Sequence, residues 1–159
     1  MRLYSLTNMY LSPIQQGIQT AHALHELYEN YAGFSNETSS KIHEWAKNHK
    51  TIIVLNGGYQ SSIAESVELF ADITNTLYLP YAFFNEEKNA LNGALTAACI
   101  VVPEEIYNMS ETKTVTTIHD DWKRNAYSNF IDPVTNDHIY KQELARVRLF
   151  NHLRSKRLA

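Results

Sequence analysis

A chain of 159 residues fits one domain better than two. Its 44% apolar content, with ten Tyr and six Phe, supplies a packed core and excludes a disordered chain. The net charge of -3 argues against a surface that attracts nucleic acid everywhere, and a single cysteine, Cys99, excludes an intramolecular disulfide.

The segment RLYSLT at 2–7 alternates apolar and polar residues and predicts a strand. Ser12-Pro13 then has the form of a helix start, with Ser as cap and Pro in the first turn. Helical periodicity runs over 14–31. On a wheel of about 100° per residue, Ile14, Gly17, Ile18, Ala21, Leu24 and Tyr28 share one side, which is expected to face a sheet. Gly33 to Asn36 breaks this helix. A second is expected at 37–48, with Ile42 and Trp45 as its apolar contacts. The β-branched run TIIVL at 51–55 suits a central strand buried on both faces. The turn Asn56-Gly57-Gly58 ends it.

A third helix, capped by Ser61 or Ser62, is expected to reach about residue 75, with Ile63, Val67, Phe70, Ala71 and Ile73 inward. YAFF at 81–84 and LTAACIVV at 95–102 predict the third and fourth strands. The linker NEEKNALNG is too short for a helical crossover, so these two are expected to pair antiparallel. Beyond Pro103 the pattern is weaker. KTVTTI at 113–118 reads as a short strand or extended segment, 120–130 as one or two helical turns, and Asp132-Pro133 as a turn. A helix is expected over 138–157. It carries Lys141, Arg146, Arg148, Arg154, Lys156 and Arg157. The fold class expected is therefore α/β: a small mixed four-stranded sheet with helices on both faces, and a helical C-terminal extension.

The first helix also carries a polar ridge. Gln15, Gln19, His22 and Glu26 fall within about 60° of one another, beside the apolar side. A histidine such as His22 can serve as a general base or acid, because an unperturbed imidazole changes charge near neutral pH. Glu26 can orient it, and the glutamines can bond a carbonyl, an amide or a base edge. The same pattern is also the wet face of many ordinary helices. No segment reaches the length of a membrane span, and a cytoplasmic protein is expected. The seven histidines are scattered without zinc-ligand spacing, so neither metal nor cofactor is expected.

The order strand, SP-IQQGIQTAHAL, Trp, β-branched strand, helix and FFNEEKNALNGALTAACIVVP resembles the type II peptidyl-tRNA hydrolases over about residues 2–103. The matching positions are Ser12-Pro13, Gln19 and Ala21-His22-Ala23, with Phe84, Glu86 and Leu95-Thr96-Ala97 echoing a late segment of a bacterial branch. The resemblance implies a domain at 1–103, an extension at 104–159, homodimers or higher homo-oligomers, and a site at Gln19 and His22. This sequence departs from that pattern at two places. Gln15 stands where the family has a lysine, and a neutral amide cannot stabilise a developing oxyanion as a cation does. Asn85 stands near the family's acidic residue and cannot act as a base.

Three functions compete. The chain can cleave the ester of peptidyl-tRNA, with His22 and Gln19 as the catalytic pair and tRNA as partner. It can bind a small nucleotide, sequestering or cleaving it, with a cyclic nucleotide immune signal in viral counter-defence as one instance. The walls of that site would be Gln15, Gln19, His22, Asn56, Gly57, Asn85, Glu86 and Thr96, and the glycine turn would admit a phosphate. Or it can be a non-enzymatic oligomeric protein that docks through its last helix. The two charge losses favour nucleotide binding over ester hydrolysis.

Overall fold

In the computed structural model, which describes residues 1–127 and 132–159, four strands form one open mixed sheet. They are β1 (Arg2–Asn8), β2 (Ile52–Gly58), β3 (Tyr81–Asn85) and β4 (Leu95–Val102), in the order β2-β1-β4-β3. β1 and β2 run parallel, while β4 is antiparallel to both β1 and β3. The antiparallel pairing expected across the short linker is therefore present. A four-residue helix, α4 (Lys88–Leu91), occupies the linker.

Alternation along the strands sorts side chains into two layers. Leu3, Ala97, Cys99 and Val101 meet Ala23 and Leu27 of α1 (Pro13–Tyr31), Ile42 of α2 (Glu37–Glu44) and Trp45 just after it. Leu6, Ala98, Ile100 and Val102 meet α3 (Gln60–Leu77) on the opposite face. The fold is thus α/β with helices on both faces. After α5 (Glu104–Tyr107) and α6 (Val115–Tyr127) comes α7 (Pro133–Arg154). It lays Ala145, Leu149, Phe150 and Leu153 into the same core as α3. Residues 104–159 thereby complete one face of the sheet.

The β-branched run at 51–55 does not make a central strand. β2 lies at the sheet edge, with Ile52 exposed. The chain's last residues cover its free side: Leu158 bridges Leu55, the Asn56 N–H donates to the Arg157 carbonyl, and the Ala159 N–H donates to that of Val54. This tail satisfies the open edge as a fifth strand would. The strand buried on both faces is β4.

The first helix is rotated from its expected setting. Its inward residues are Gln19, Thr20, Ala23 and Leu27, while Ile14 is 79% exposed and Ile18 is 49% exposed. Gly17 and Ala21 are exposed as well. The sheet explains the rotation. Beneath the first turns of α1 it presents the hydroxyls of Ser5, Thr7 and Thr96, and buried hydroxyls demand polar partners. Thr20 meets Ser5 at 2.9 Å and Gln19 meets Thr96 at 2.8 Å.

Smaller shifts have local causes. α3 starts at Gln60 with Tyr59 as its N-cap, ahead of Ser61 and Ser62. α2 continues as a π-helical turn, Trp45–His49, ended by Lys50 at φ 57°. KTVTTI is no strand. The Thr114 hydroxyl accepts from the Thr117 N–H, and α6 begins at Val115. Asp132 accepts from the Thr135 N–H and starts α7 at Pro133, five residues before the expected position. Of the helical turns expected at 120–130, residues 128–130 lie outside the described residues.

Candidate functional site

Both bulges of the sheet fall at one end. Thr7 pairs with Asn56 and Asn8 with Gly58, so Gly57 is the extra residue in β2. Phe84 pairs with Ala97 and Asn85 with Leu95, so Thr96 is the extra residue in β4. That second bulge turns Thr96 toward α1, on the same side as Ala97. Its hydroxyl donates to Gln19 Oε1 at 2.8 Å, and Gln19 Nε2 donates to Glu86 Oε1 at 2.6 Å. Gln19 and Thr96 are buried and Glu86 is half-buried. One amide therefore ties α1 to the β3–β4 hairpin with both of its ends engaged. Beside this tie the Thr7 hydroxyl is buried with no hydrogen-bond partner among the described residues.

His22, one turn after Gln19, is exposed and lies flat on Phe84, with ring centroids 4.5 Å apart and planes at 13°. Gln15 turns the other way. Its Oε1 accepts from the Ser12 N–H at 2.9 Å while Ser12 Oγ accepts from the Gln15 N–H, closing a capping box. Asn85 is exposed at the end of β3. The structure thus brings Gln19, Glu86 and Thr96 together and places His22 beside them on Phe84. It does not bring Asn56 and Gly57 to that group. They stand on β2, separated from β4 by β1, which puts them about 10 Å away.

Asn56 and Gly57 belong to a second cluster. β1 passes into α1 on one face and β2 passes into α3 on the other. Adjacent parallel strands whose connections leave to opposite faces open a crevice at their carboxyl ends, where ligands of open α/β sheets bind. Asn56 Oδ1 accepts from the Gly58 N–H at 2.8 Å, and Gly58 has φ +81°, which favours glycine. A Cβ on Gly57 would lie 2.9 Å from Ile63 Cγ1 and 3.0 Å from the Thr7 carbonyl oxygen, so packing alone requires glycine there. Beside the turn is an open hollow of about 260 Å³ lined by Asn56, Gly58, Ser62, Ser155, Lys156 and Arg157. At the same end of the sheet the exposed rings of Tyr10 and Tyr59, which follow β1 and β2, sit 5.5 Å apart.

No protein-family model matches the sequence, and a search of curated proteins returns no match. The chemistry of the site therefore rests on its own residues.

Tyr10, Tyr59, Ser62, Lys156 and Arg157 were not legible as site residues. The tyrosines share only an offset from two strand ends, and the cations reach the turn only because the tail docks on β2. Elsewhere, burial pushes the Cys99 thiol up to about 12, so it stays protonated against the Ala23 carbonyl. Among the described residues no group of His, Cys, Asp or Glu can hold a metal ion, and no helix is long and apolar enough to cross a membrane.

Proposed function

We propose that this chain is a divergent type II peptidyl-tRNA hydrolase-like protein that binds a small nucleotide at the carboxyl ends of β1 and β2. A cyclic nucleotide signal is the first candidate, with viral counter-defence as its setting. One observation carries the reading: a hollow lined by two cations and a pair of exposed aromatic rings lie at the same sheet end. A phosphate is met there by the Lys156 ammonium, the Arg157 guanidinium and the Ser62 hydroxyl. A base stacks on Tyr10 or Tyr59, worth about 1–3 kcal/mol. Across β1, Gln19 acts by holding the β3–β4 hairpin against α1, and His22 stands with it, about two strand spacings from the hollow, so it would move a proton only on a nucleotide long enough to span both clusters.

Calorimetric titration with linear and cyclic mono- and dinucleotides tests this reading. Saturable heat is expected from at least one of them. Changing Lys156 and Arg157 together to Ala should weaken it by at least about ten-fold, since a hydrogen bond to a charged group is worth ~1.5–3 kcal/mol. A flat panel sinks the proposal. Chromatography of the recovered nucleotide separates sequestration from cleavage. Release of peptide from a model peptidyl-tRNA would favour the hydrolase reading instead.

The homo-oligomer belongs to the same proposal. The outer face of α1 carries Ile14, Gly17, Ile18 and Ala21 without a charge, and Gly17 has nothing within 4 Å of a Cβ position. Two copies related by a two-fold axis can bury this face against itself. Light scattering should report more than one chain per particle for the native sequence and a monomer after Ile14→Glu with Ile18→Glu. A monomer in both cases removes the homo-oligomer from the proposal.

A further inference from the structure

The hollow at the Gly58 turn has two unequal walls. One is fixed. Gly57 packs so closely on Ile63 and the Thr7 carbonyl that a Cβ does not fit, and Ser62 lies in the first turn of α3. The other wall is the tail, which supplies Ser155, Lys156 and Arg157. The last buried side chain before it is Leu153, and residues 157–159 are all exposed, Leu158 by 77%. Two backbone hydrogen bonds hold the tail on β2: the Asn56 N–H to the Arg157 carbonyl at 2.8 Å, and the Ala159 N–H to the Val54 carbonyl at 3.1 Å. Two such bonds are modest in net worth, and ordering three residues of backbone opposes them. A segment without an apolar anchor opens more readily than the sheet it rests on.

Charge adds a second asymmetry. Arg148 and Arg154, earlier on α7, pair with Asp72 and Glu111. Lys156 and Arg157 pair with no carboxylate among the described residues, and none lines the hollow. Docking the tail brings both cations to the first turn of α3, the positive end of that helix, where Tyr59 supplies no side-chain cap. Closure without an anion places like charges together, and an anion between them reverses the sign of the interaction. Lys156 and Arg157 reach the turn only when the tail is docked. An anion there binds the closed form better than the open one, which is the differential that shifts a two-state equilibrium.

We propose that residues 156–159 form a strap that opens from β2 and closes on the phosphate of the bound nucleotide. The strap rests on the nucleotide reading for its ligand, while its motion is measured separately.

Amide hydrogen exchange on the full chain tests it with two reporters. The Asn56 N–H is covered by the tail, and the Val101 N–H donates to the Pro80 carbonyl from the central strand β4. Without ligand, Asn56 is expected to exchange at least about 100-fold faster than Val101 after correction for intrinsic rates. With the nucleotide that gives saturable heat, both amides should slow by the same factor, since that ligand binds neither the open nor the unfolded form. Ala159→Pro removes one tail donor outside the hollow and should speed Asn56 exchange by at least about three-fold. Asn56 exchanging as slowly as Val101 in the free chain, or at an unchanged rate in Ala159→Pro, overturns the proposal. A nucleotide that binds and slows Val101 but not Asn56 overturns the strap and leaves the nucleotide reading standing. A flat calorimetric panel removes the nucleotide reading, and the strap falls with its ligand.

Discussion

Gln19 is the residue on which two readings meet. A ligand-facing glutamine would leave its amide free, whereas here Thr96 and Glu86 occupy both ends. Gln19→Ala would leave the buried Thr96 hydroxyl with only its longer bond to the Phe84 carbonyl, 3.4 Å, at a cost of about 1 kcal/mol. Urea denaturation should show that loss. A double-mutant cycle with Thr96→Val should show coupling, because the second change removes the hydroxyl that lost its closer partner. Independent effects would mean that the bond contributes nothing.

His152 offers a second test at this scale. It is half-buried on α7, accepts or donates at 2.9 Å to Ser66 Oγ, and meets Phe70 edge-on. Burial, with the Lys156 charge beside it, pushes its pKa down to about 4. The unfolded chain takes a proton near pH 6.5, which the folded chain refuses until about 4. Unfolding therefore binds protons in that window, and stability falls as pH drops through it. Melting temperature should decline between pH 7 and pH 5, and His152→Gln should reduce the slope. An unchanged slope would place the pH dependence elsewhere.

Among the elements, α1 shows most clearly what periodicity can and cannot say. Its length, its Ser12 cap and its Pro start follow from local chemistry and are present. Its orientation does not follow. Apolar residues occur on two sides, and the side that turns inward is chosen by the hydroxyls of β1 and β4 beneath it. The strand at 51–55 repeats the lesson. A β-branched run signals burial, but burial by a neighbouring strand and burial by a docked tail look alike in sequence. The segment at 113–118 fails for a third reason: a single hydroxyl cap at Thr114 outweighs the β propensity of Val and Thr.

For the whole molecule, the decisive feature is that α7 belongs to the core. Leu149 is fully buried, and Phe150 and Leu153 are nearly so, on the face that also receives α3. A chain ending at residue 103 would expose that face, with about 1.5–3 kcal/mol lost for each large apolar side chain left without its cover. It should show no cooperative thermal transition by circular dichroism, whereas the full chain should. Cooperative melting of the short chain would make residues 104–159 an independent addition. The same docking carries Lys156 and Arg157 to the Gly58 turn, so the proposed nucleotide site also depends on the end of the chain.

The sequence by itself determined the α/β class, the four strands, the antiparallel pairing of β3 with β4 and the cap of α1. Each of these rests on contacts within a few residues, or on a linker too short to allow anything else. It also singled out Gln19, Glu86 and Thr96, which do meet. Only the tertiary structure decided which face of α1 is buried, which strand lies at the edge, and that Tyr10, Tyr59, Lys156 and Arg157 share one end of the sheet. Those outcomes depend on side chains fifty to a hundred residues apart competing for the same partners, and no local pattern records that competition.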